Sequence, residues 1–555
     1  MKTYIKSIVY ITCFASIGWL ISSCASIEIV QTTTNDVNMY SYLKKYPDKF
    51  SDFSTVIEKA GYANFLDAYG AYTMFLPNNV AMQVYMKSLG KSVDQITAEE
   101  AKNIAKIHII RDTLTTKSFT DGKLPLVTMY GQYLLGGVGF AGGVSSYTVN
   151  RQASIIESNI ITGNGILHVI DNVLKPAMLS VSEVLEKDPN YSIFTEALKQ
   201  TGYYDSLKVV STDENSRWVT ILAEPNSVLN KAGFANFDAL KKRYSNSGNP
   251  KSKSDSLNLY VAYHLLPGLK YLADIISSDS HLTKIPLEVV TSTLDEQTVR
   301  INQVLFNGIT EPGVELVRAS SDNATTNGVI HAASGHFTVK IRKPYPLYWD
   351  VGDFPEIRKL PAYFRKQTYA FDYATIKDMT WEKNGITYAF STCSSFPCFY
   401  NDYLVVPLGI GNAARSNWFQ IKTPLLVKGK YKVWICYRSQ KQSTSGSGST
   451  ITAQVSFDGN PIPRPVTFTE TAPAGTEGEL ESLGWKVYVS PGTDRNMSAR
   501  LLGVVDVKTT DRHTLYFQAI NGGQNTNNLD MIHFIPIELN QVNPRFTREG
   551  LQVYP

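Results

Sequence analysis

A chain of 555 residues is too long for one hydrophobic core, so we expect three or four domains. Hydrophobic residues make up 43% of it and charged residues 18%, the balance of an ordinary globular protein. The formal net charge is +4, but Lys2 and Lys6 lie in an N-terminal segment without acids, which leaves about +2 for the remainder. That small charge argues against a dedicated nucleic-acid-binding protein.

The first 24 residues predict an exported lipoprotein. After the basic start, residues 8–21 are apolar but too few to span a bilayer comfortably. The segment ends in Ile-Ser-Ser-Cys, which resembles a bacterial lipobox with Cys24 as the lipidated residue. We therefore predict a signal peptide over 1–23, a lipid anchor on Cys24 and a polar tether over 24–36. An ordinary signal peptide that ends near a cysteine is the alternative.

Residues 37–178 mix helical and strand patterns. Apolar residues recur at helical spacing between positions 42 and 57, and Thr97 with Glu100 has the spacing of a capping box. Two later stretches, LPLVTMYGQYLLGGVGF and SSYTVNRQASIIES, have the character of strands. We expect one α+β domain that closes near Pro176.

The same plan recurs over residues 179–343. NGILHVIDNVLKP, which begins at Asn164, is matched by NGVIHAASGHFTVK, which begins at Asn327. TMFLPNNVAM is matched by TILAEPNSVL, and KIHII is matched by AYHLLPG, in the same order along the chain. In each Asn-Gly pair we expect glycine to permit a tight turn that leads into a buried strand. Three landmarks in one order predict a duplicated domain.

These landmarks resemble the fasciclin (FAS1) domain, over roughly residues 30 to 343. That family has an early "T-x-F-x-P-x-N" box, a central "Y-H" segment and a final "N-G-x-I-H-V-I-D-x-V-L" box. The first copy matches the final box closely, whereas the second copy lacks the acid and the Val-Leu pair that follow the histidine. The resemblance implies two α+β domains in tandem.

Four histidines, His108, His168, His264 and His331, occupy equivalent positions in the two copies. Their apolar surroundings predict core histidines rather than ligands. The Tyr-His segment of animal FAS1 proteins is linked to adhesion, and Tyr263 with His264 matches it. The first copy has Ile107 in place of the tyrosine, so adhesion is not carried over.

Residues 344–361 contain four prolines and predict an interdomain linker, after which the pattern changes. Residues 362–555 consist of short alternating strands separated by Gly, Pro and Ser, which predicts an all-β sandwich. KGKYKVWICYR, QVSFDGNPI and LDMIHFIPI resemble motifs of galactose-binding-like jelly rolls, especially the family 6 and 35 carbohydrate-binding modules.

Three cysteines remain beyond Cys24. Cys393 and Cys398 flank a short loop with a proline, so we predict a disulfide between them. Cys436 lies in a strand pattern and is expected to be a buried thiol. A metal site is the alternative, although no His or Cys partner stands at ligand spacing.

Sugar-binding sites combine aromatic faces with amide side chains that both donate and accept hydrogen bonds. The candidate loops of the sandwich supply five such residues: Trp418, Tyr400, Tyr403, Asn525 and Asn528. Asp530 matches a structural calcium ligand of the resembled modules, but no acidic partner is evident near the start of the domain. Apart from that ion we expect no cofactor.

No nucleophile elbow, zinc-protease motif or phosphate-binding loop occurs in the chain, so we predict that it is not an enzyme. The architecture resembles Bacteroidota surface lipoproteins that accompany SusC/SusD-type glycan importers. We expect an outer-membrane protein that binds or presents a glycan. The rival hypothesis is a structural or adhesion protein that docks other proteins through its FAS1 domains.

The anchor is directly testable. Replacing Cys24 with Ala removes the thiol that would carry the lipid, so the variant should leave the membrane fraction and become soluble. Fractionation of cells that express either form measures this, with Cys436→Ala as a control that keeps the anchor. A Cys24→Ala protein that stays in the membrane fraction would contradict the prediction.

Overall fold

A computed structural model describes residues 37–68, 70–141, 144–306, 309–340, 342–372, 374–390, 398–411, 415–439, 451–490, 497–522 and 527–554. The predicted signal peptide, tether and anchor at Cys24 lie outside these residues, as do Cys393 and Asn525. The chain forms two compact units, one that ends at Pro176 and one that begins at Ala177. Within the described ranges, no helix combines the length and the apolar character needed to cross a membrane.

Domain 1 belongs to the first unit, and its described residues form five α-helices and one sheet. The helices are α1 (Met39–Lys45), α2 (Pro47–Lys59), α3 (Ala63–Asp67), α4 (Asn79–Leu89) and α5 (Ala98–His108). The strands are β1 (Tyr72–Pro77), β2 (Ile109–Ile110), β3 (Gly122–Val127), β4 (Tyr133–Ala141), β5 (Val144–Val149), β6 (Ala153–Thr162) and β7 (Gly165–Ile170). They are ordered β2-β1-β7-β6-β5-β4-β3. The predicted capping box is present at the start of α5, where Thr97 and Glu100 bond reciprocally.

Domain 2 opens the second unit and repeats the plan. Its helices are α6 (Val181–Lys187), α7 (Ser192–Gln200), α8 (Tyr203–Lys208), α9 (Glu214–Arg217), α10 (Asn226–Lys231), α11 (Phe237–Tyr244), α12 (Ser256–Tyr263) and α13 (Leu272–Ile276). Its strands are β8 (Val219–Ala223), β9 (Leu265–Pro267), β10 (Ser280–Leu282), β11 (Val289–Asp295), β12 (Thr298–Phe306), β13 (Ile309–Glu315), β14 (Asn323–Ala324) and β15 (Gly328–Ala332). They form two sheets, ordered β10-β11-β12-β13 and β14-β15-β8-β9.

A parallel strand pair joins the early and final landmarks in both domains. In domain 1, β7 runs parallel to β1 with His168 opposite Phe75. In domain 2, β15 runs parallel to β8 with His331 opposite Leu222. The matched register supports the duplication predicted from the spacing of the landmarks.

The Asn-Gly pair has a different physical role from the turn we predicted. A Cβ atom on Gly165 would lie 2.0 Å from the Tyr72 carbonyl oxygen, and one on Gly328 would lie 2.1 Å from that of Val219. Only Gly165 has a positive φ, at 154°. Glycine is therefore required because two backbones approach closely, rather than because of a shared turn conformation.

The asparagine of each pair ties the strand to the first helix of its domain. Asn164 Oδ1 accepts a hydrogen bond from the Met39 backbone N–H at 2.9 Å, and Asn327 Oδ1 accepts one from Val181 at 3.0 Å. Both asparagines are buried. The final box thus fixes the N-terminal end of each domain as well as its last strand.

The C-terminal part of the second unit is a β-sandwich, which confirms the all-β expectation. Its elements are β16 (Leu347–Asp350), α14 (Pro355–Arg358), β17 (Tyr369–Phe371), β18 (Met379–Trp381), β19 (Ile386–Phe390), β20 (Asp402–Val406), β21 (Trp418–Leu426), β22 (Gly429–Arg438), β23 (Thr452–Phe457), β24 (Asn460–Pro461), β25 (Val466–Thr467), α15 (Glu477–Ser482), β26 (Trp485–Val487), β27 (Met497–Val507), β28 (Asp511–Ala519), β29 (Asn527–Pro536), β30 (Arg545–Phe546) and β31 (Gln552–Val553).

Two sheets enclose the sandwich core. The larger follows the order β17-β19-β20-β29-β22-β27-β26, and β16 also pairs with β29. The smaller follows β18-β21-β28-β23-β24, and β25 pairs with β23. The prediction of a linker over 344–361 was therefore wrong, because residues 347–350 form a strand of the larger sheet. The prolines of residues 344–361 lie on either side of this strand and none lies within it.

Candidate functional site

Trp418 lies on the outward face of the smaller sheet. It begins β21, and alternate residues of this strand are buried in the core or half-buried on the outside. Its ring stacks on that of Tyr516 in β28, with ring centroids 5.7 Å apart and planes 26° apart. Both rings are half-buried, so each retains surface that faces solvent. We call the outward surface of β21, β28 and β23 the Trp418 face.

Amide and carboxylate groups surround this aromatic pair. Gln420 lies directly opposite Tyr516, and Gln518 lies opposite Trp418. The Tyr516 hydroxyl donates to Gln518 Oε1 at 2.8 Å, which holds the phenol ring against its neighbour. Glu382 accepts from the Asn417 backbone N–H at 2.6 Å and so fixes the residue before Trp418. The face therefore combines a rigid aromatic surface with groups that can bond hydroxyls.

Tyr400 and Tyr403 were predicted to share the site with Trp418. They lie instead in the larger sheet and in the segment that leads into it. Tyr403 lies in β20, and Tyr400 lies just before it with a left-handed φ of 53°. The guanidinium of Arg365 lies over the Tyr400 ring, 3.2 Å from its centroid. The structure thus separates the predicted aromatic residues between the two sheets.

Asn528 does not fit the predicted role of a ligand contact. Its side chain is only 2% exposed, because it lies in β29, near the middle of the larger sheet. The neighbouring Asn527 is also buried and donates to the Val406 carbonyl at 2.9 Å. Asn525 lies outside the described residues, so its role stays a prediction.

Asp530 is one of three buried carboxylates on neighbouring strands of the larger sheet, with Asp350 of β16 and Asp402 of β20. Asp530 accepts from the Tyr488 hydroxyl at 2.6 Å, and Asp402 accepts from the Tyr388 hydroxyl at 2.6 Å. Burial raises the pKa of all three carboxyls, to about 7 for Asp402, and each also experiences the charge of another. Sequence reasoning did not consider Asp350, because it lay in the supposed linker.

The chemistry of these carboxylates fits the calcium ion that the resemblance implies. Asp402 Oδ1 and Asp530 Oδ1 are buried without a hydrogen-bond partner in the described structure. A methyl group on Gly352 would lie 3.2 Å from Asp350 Oδ1 and 3.3 Å from Asp402 Oδ1, so two carboxylates border one small space. Oxygen atoms of this kind are the ligands that calcium prefers. In the described ranges, however, no three such side chains already stand close enough to hold an ion.

The two cysteines among the described residues, Cys398 and Cys436, are buried. Among the described residues, Cys398 is a free thiol and is 2% exposed, and burial raises its pKa, as do Asp530 and Asp402. Its predicted disulfide partner, Cys393, lies outside those residues, so the pairing stays a prediction. Cys436 is fully buried, as expected.

The repeated histidines are core residues, as predicted. His168 and His331 are both fully buried. The Nε2 atom of His168 lies 2.9 Å from the Leu114 carbonyl oxygen, and that of His331 lies 2.8 Å from the Lys270 carbonyl oxygen. Each ring thus makes the same bond in its own domain, which identifies a structural role.

Domain 2 also contains a buried ionic network that sequence reasoning missed. Glu224 is fully buried and receives four hydrogen bonds. Oε1 lies 2.9 Å from both His264 Nε2 and the Phe337 backbone nitrogen. Oε2 lies 2.9 Å from the Tyr260 hydroxyl and 2.7 Å from His336 Nδ1. Burial alone would raise the pKa of Glu224, but the bonds from the two histidines lower it to about 2.

The repeat itself contained the signal for this network. By the strand register Leu76 matches Ala223, so Glu224 is an additional residue before Pro225, whereas His336 aligns with Val173, which is apolar in domain 1. In domain 1, His108 instead accepts a hydrogen bond from the Leu174 backbone N–H at 3.0 Å. Domain 2 thus has His336 and Phe337 in place of the Val-Leu pair of the family pattern, and both residues bond the buried Glu224.

Comparison with known proteins identifies the two repeated domains. The family model described as "Fasciclin domain" matches residues 48–176 and 189–334. Human periostin is 26% identical over 283 residues, which cover 51% of this chain and 29% of periostin. Pig transforming growth factor-beta-induced protein ig-h3 is 25% identical over 217 residues, which cover 39% of this chain and 29% of that protein. The chain thus spans less than a third of the length of these relatives.

Two solved structures resemble separate parts of the chain. The FAS1 domain pair of the insect cell adhesion molecule Fasciclin I covers 52% of this chain and 96% of its own, at 19% identity and a TM-score of 0.23. A family 35 carbohydrate-binding module from Clostridium thermocellum covers 30% of this chain and 98% of its own, at 13% identity and a TM-score of 0.19.

The network at Glu224 predicts a pH-dependent stability of domain 2. The folded pKa of about 2 lies below the ordinary value of 4.5, so this stabilisation is present above pH 4.5 and is lost as the pH falls towards 2. The loss should reach about 3 kcal/mol in the unfolding free energy. Urea unfolding of the full chain between pH 7 and pH 2 measures it.

The matched control replaces the carboxylate and one of its histidine partners with apolar side chains. A Glu224→Leu, His336→Val double variant lacks the buried charge, so its unfolding transition should depend less on pH than that of the wild type. Glu224→Leu alone leaves the two histidines without their acceptor and should be the least stable form at pH 7. Equal pH slopes in the wild type and the double variant would contradict the assignment.

Proposed function

We propose that this chain, which carries two fasciclin domains in tandem followed by a β-sandwich, is a non-catalytic cell-surface lipoprotein that binds glycan. The observation that carries the proposal is the stacked pair of Trp418 and Tyr516, half-exposed on an otherwise polar sheet face. A pyranose ring has an apolar C–H face that packs against such rings, and its hydroxyls bond amides and carboxylates. Gln420 and Glu382 stand where they can supply those bonds.

The proposed location follows from the lipobox at Cys24. A lipid on this residue would hold the protein at the outer membrane, with its domains at the cell surface. A protein that captures glycan there would serve a SusC/SusD-type importer, which is the partner that we propose. The resemblance of the architecture to lipoproteins of the Bacteroidota supports this assignment.

The second candidate is an adhesion or docking role of the fasciclin domains, favoured by their presence in tandem. One observation weakens the part of it that depends on the Tyr-His segment. Tyr263 is 6% exposed and His264 is fully buried, so neither offers a surface to a partner. A docking role would therefore use other residues of these domains.

A calcium ion is proposed as a structural component of the sandwich. Asp350, Asp402 and Asp530 would hold it through carboxylate oxygens, two of which have no hydrogen-bond partner in the described structure. The ion would neutralise charge that burial otherwise disfavours. Its role would be to fix β16, the first strand of the sandwich, to β20 and β29.

The glycan site predicts the effect of Trp418→Ala. Losing the stacked indole should cost about 1–3 kcal/mol of binding free energy, which is about tenfold to a hundredfold in affinity. Calorimetry of the intact protein with its best glycan from an array measures this.

Tyr403→Ala is the matched control, since it removes a half-buried aromatic side chain from the other sheet of the same domain. Its affinity should equal that of the wild type. A loss of binding in Tyr403→Ala with none in Trp418→Ala would move the site to the larger sheet. An intact protein that binds no glycan would favour the docking role.

The calcium proposal predicts a stabilised sandwich. Calcium at a hundredfold excess over its Kd should raise the unfolding free energy by about 2.7 kcal/mol, and EDTA should abolish this effect. Thermal unfolding followed by tryptophan fluorescence measures it, since five of the seven tryptophans lie after residue 345. Asp402→Asn should bind calcium more weakly, whereas an exposed acid such as Asp295→Asn should not change the response. Identical melting curves in calcium and EDTA would contradict the proposal.

A further inference from the structure

The residues that point outwards from β21 meet different neighbours along the strand. Trp418 stacks on Tyr516 at the beginning, whereas the Nζ atom of Lys422 lies 3.0 Å from Asp279 Oδ2 of domain 2. Alternate residues of a strand share one face, so Trp418 and Lys422 lie on the same surface. They are separated by about 13 Å, at 3.3 Å for each residue. The Trp418 face is therefore open at one end and covered at the other.

The neighbouring strand β28 is covered at the same level. Arg512 Nη1 lies 3.4 Å from Asp279 Oδ2, so one carboxylate of domain 2 reaches across both strands. Beside it, the Ser280 hydroxyl donates to Asp511 Oδ2 at 2.7 Å. Domain 2 thus contacts two neighbouring strands of the sheet, β21 and β28, instead of a single point.

Asp279 is the centre of this contact. It also lies 3.4 Å from the Nζ atom of Lys377, which makes three cations around one carboxylate. Burial would raise the pKa of Asp279, but Lys422, Lys377 and Arg512 together lower it. A single exposed ion pair contributes little, whereas a network of charges around one acid holds its geometry better. We call these four residues the Asp279 clasp.

We infer that domain 2 forms one end of the glycan site, so that the Trp418 face accepts a short glycan segment whose extension is stopped by the Asp279 clasp. This inference rests on the glycan-binding function proposed above. A long chain can lie across the aromatic pair only until it meets the clasp. Domain 2 is then a determinant of ligand length, and Asp279 is the positioning residue that holds it there.

The experiment uses the full chain and compares oligosaccharides of increasing length from the glycan that the wild type binds. In the wild type, affinity should rise with length and then become constant once the open part of the face is filled. In Asp279→Lys, repulsion from three cations should separate domain 2 from the sheet. Longer oligosaccharides should then gain about tenfold in affinity, the equivalent of 1.4 kcal/mol of added contact.

Hydrogen exchange supplies a readout that is independent of any glycan. Backbone amides of β10 and the second half of β21 should lose protection in Asp279→Lys but not in the control Asp295→Lys. Asp295 carries the same charge, pairs with Arg300 inside domain 2 and is largely exposed. Asp279→Asn is the milder second variant, which keeps the side-chain shape and removes only the charge.

The possible outcomes distinguish a failure of this inference from a failure of the proposed glycan-binding function. Suppose that Trp418→Ala abolishes binding, and that Asp279→Lys separates domain 2 from the sheet without changing how affinity depends on length. The glycan function then holds, and the inference that domain 2 limits ligand length is wrong. If no oligosaccharide binds, the proposed function and the inference both fail. A length profile that changes in Asp279→Lys and not in Asp295→Lys establishes the inference.

Discussion

The close approach of two parallel strands is the constraint on which each fasciclin domain depends. Gly165 and Gly328 stand where any side chain would collide with a carbonyl oxygen of the neighbouring strand. The preceding asparagines each bond the first helix of the domain. A few residues thus connect the beginning, the middle and the end of the domain.

This shared strand arrangement tolerates large differences in the side chains that pack around it. Domain 2 has Glu224 as an additional residue before Pro225 and His336 where domain 1 has Val173, yet the strand pairing is the same. A buried carboxylate is acceptable there because four donors surround it, and removing one donor would leave a charge without compensation. The difference between the copies therefore lies in their side-chain chemistry, whereas the backbone plan is shared.

Much of the fold was predictable, since it was encoded in local patterns. The repeat, the capping box at Thr97 and the all-β character after residue 362 follow from spacing and alternation. Long-range pairing was not predictable, because no local signal shows that residues 347–350 pair with β29. The same limit applied to the sites. Trp418 was identified as an aromatic residue near a turn, but its neighbour Tyr516 and the cluster of Asp350 with Asp402 exist only through strand order.

The pairing of β16 with β29 has a kinetic consequence during synthesis. The first strand of the sandwich bonds residues that follow more than 180 positions later, so it remains unpaired until β29 has left the ribosome. The fasciclin domains close over far shorter stretches of chain and can be complete by then. The sandwich is thus the last part to fold, and its unpaired strand edges are exposed to aggregation in the interval. A chain of this design therefore depends on keeping those edges apart until β29 is available.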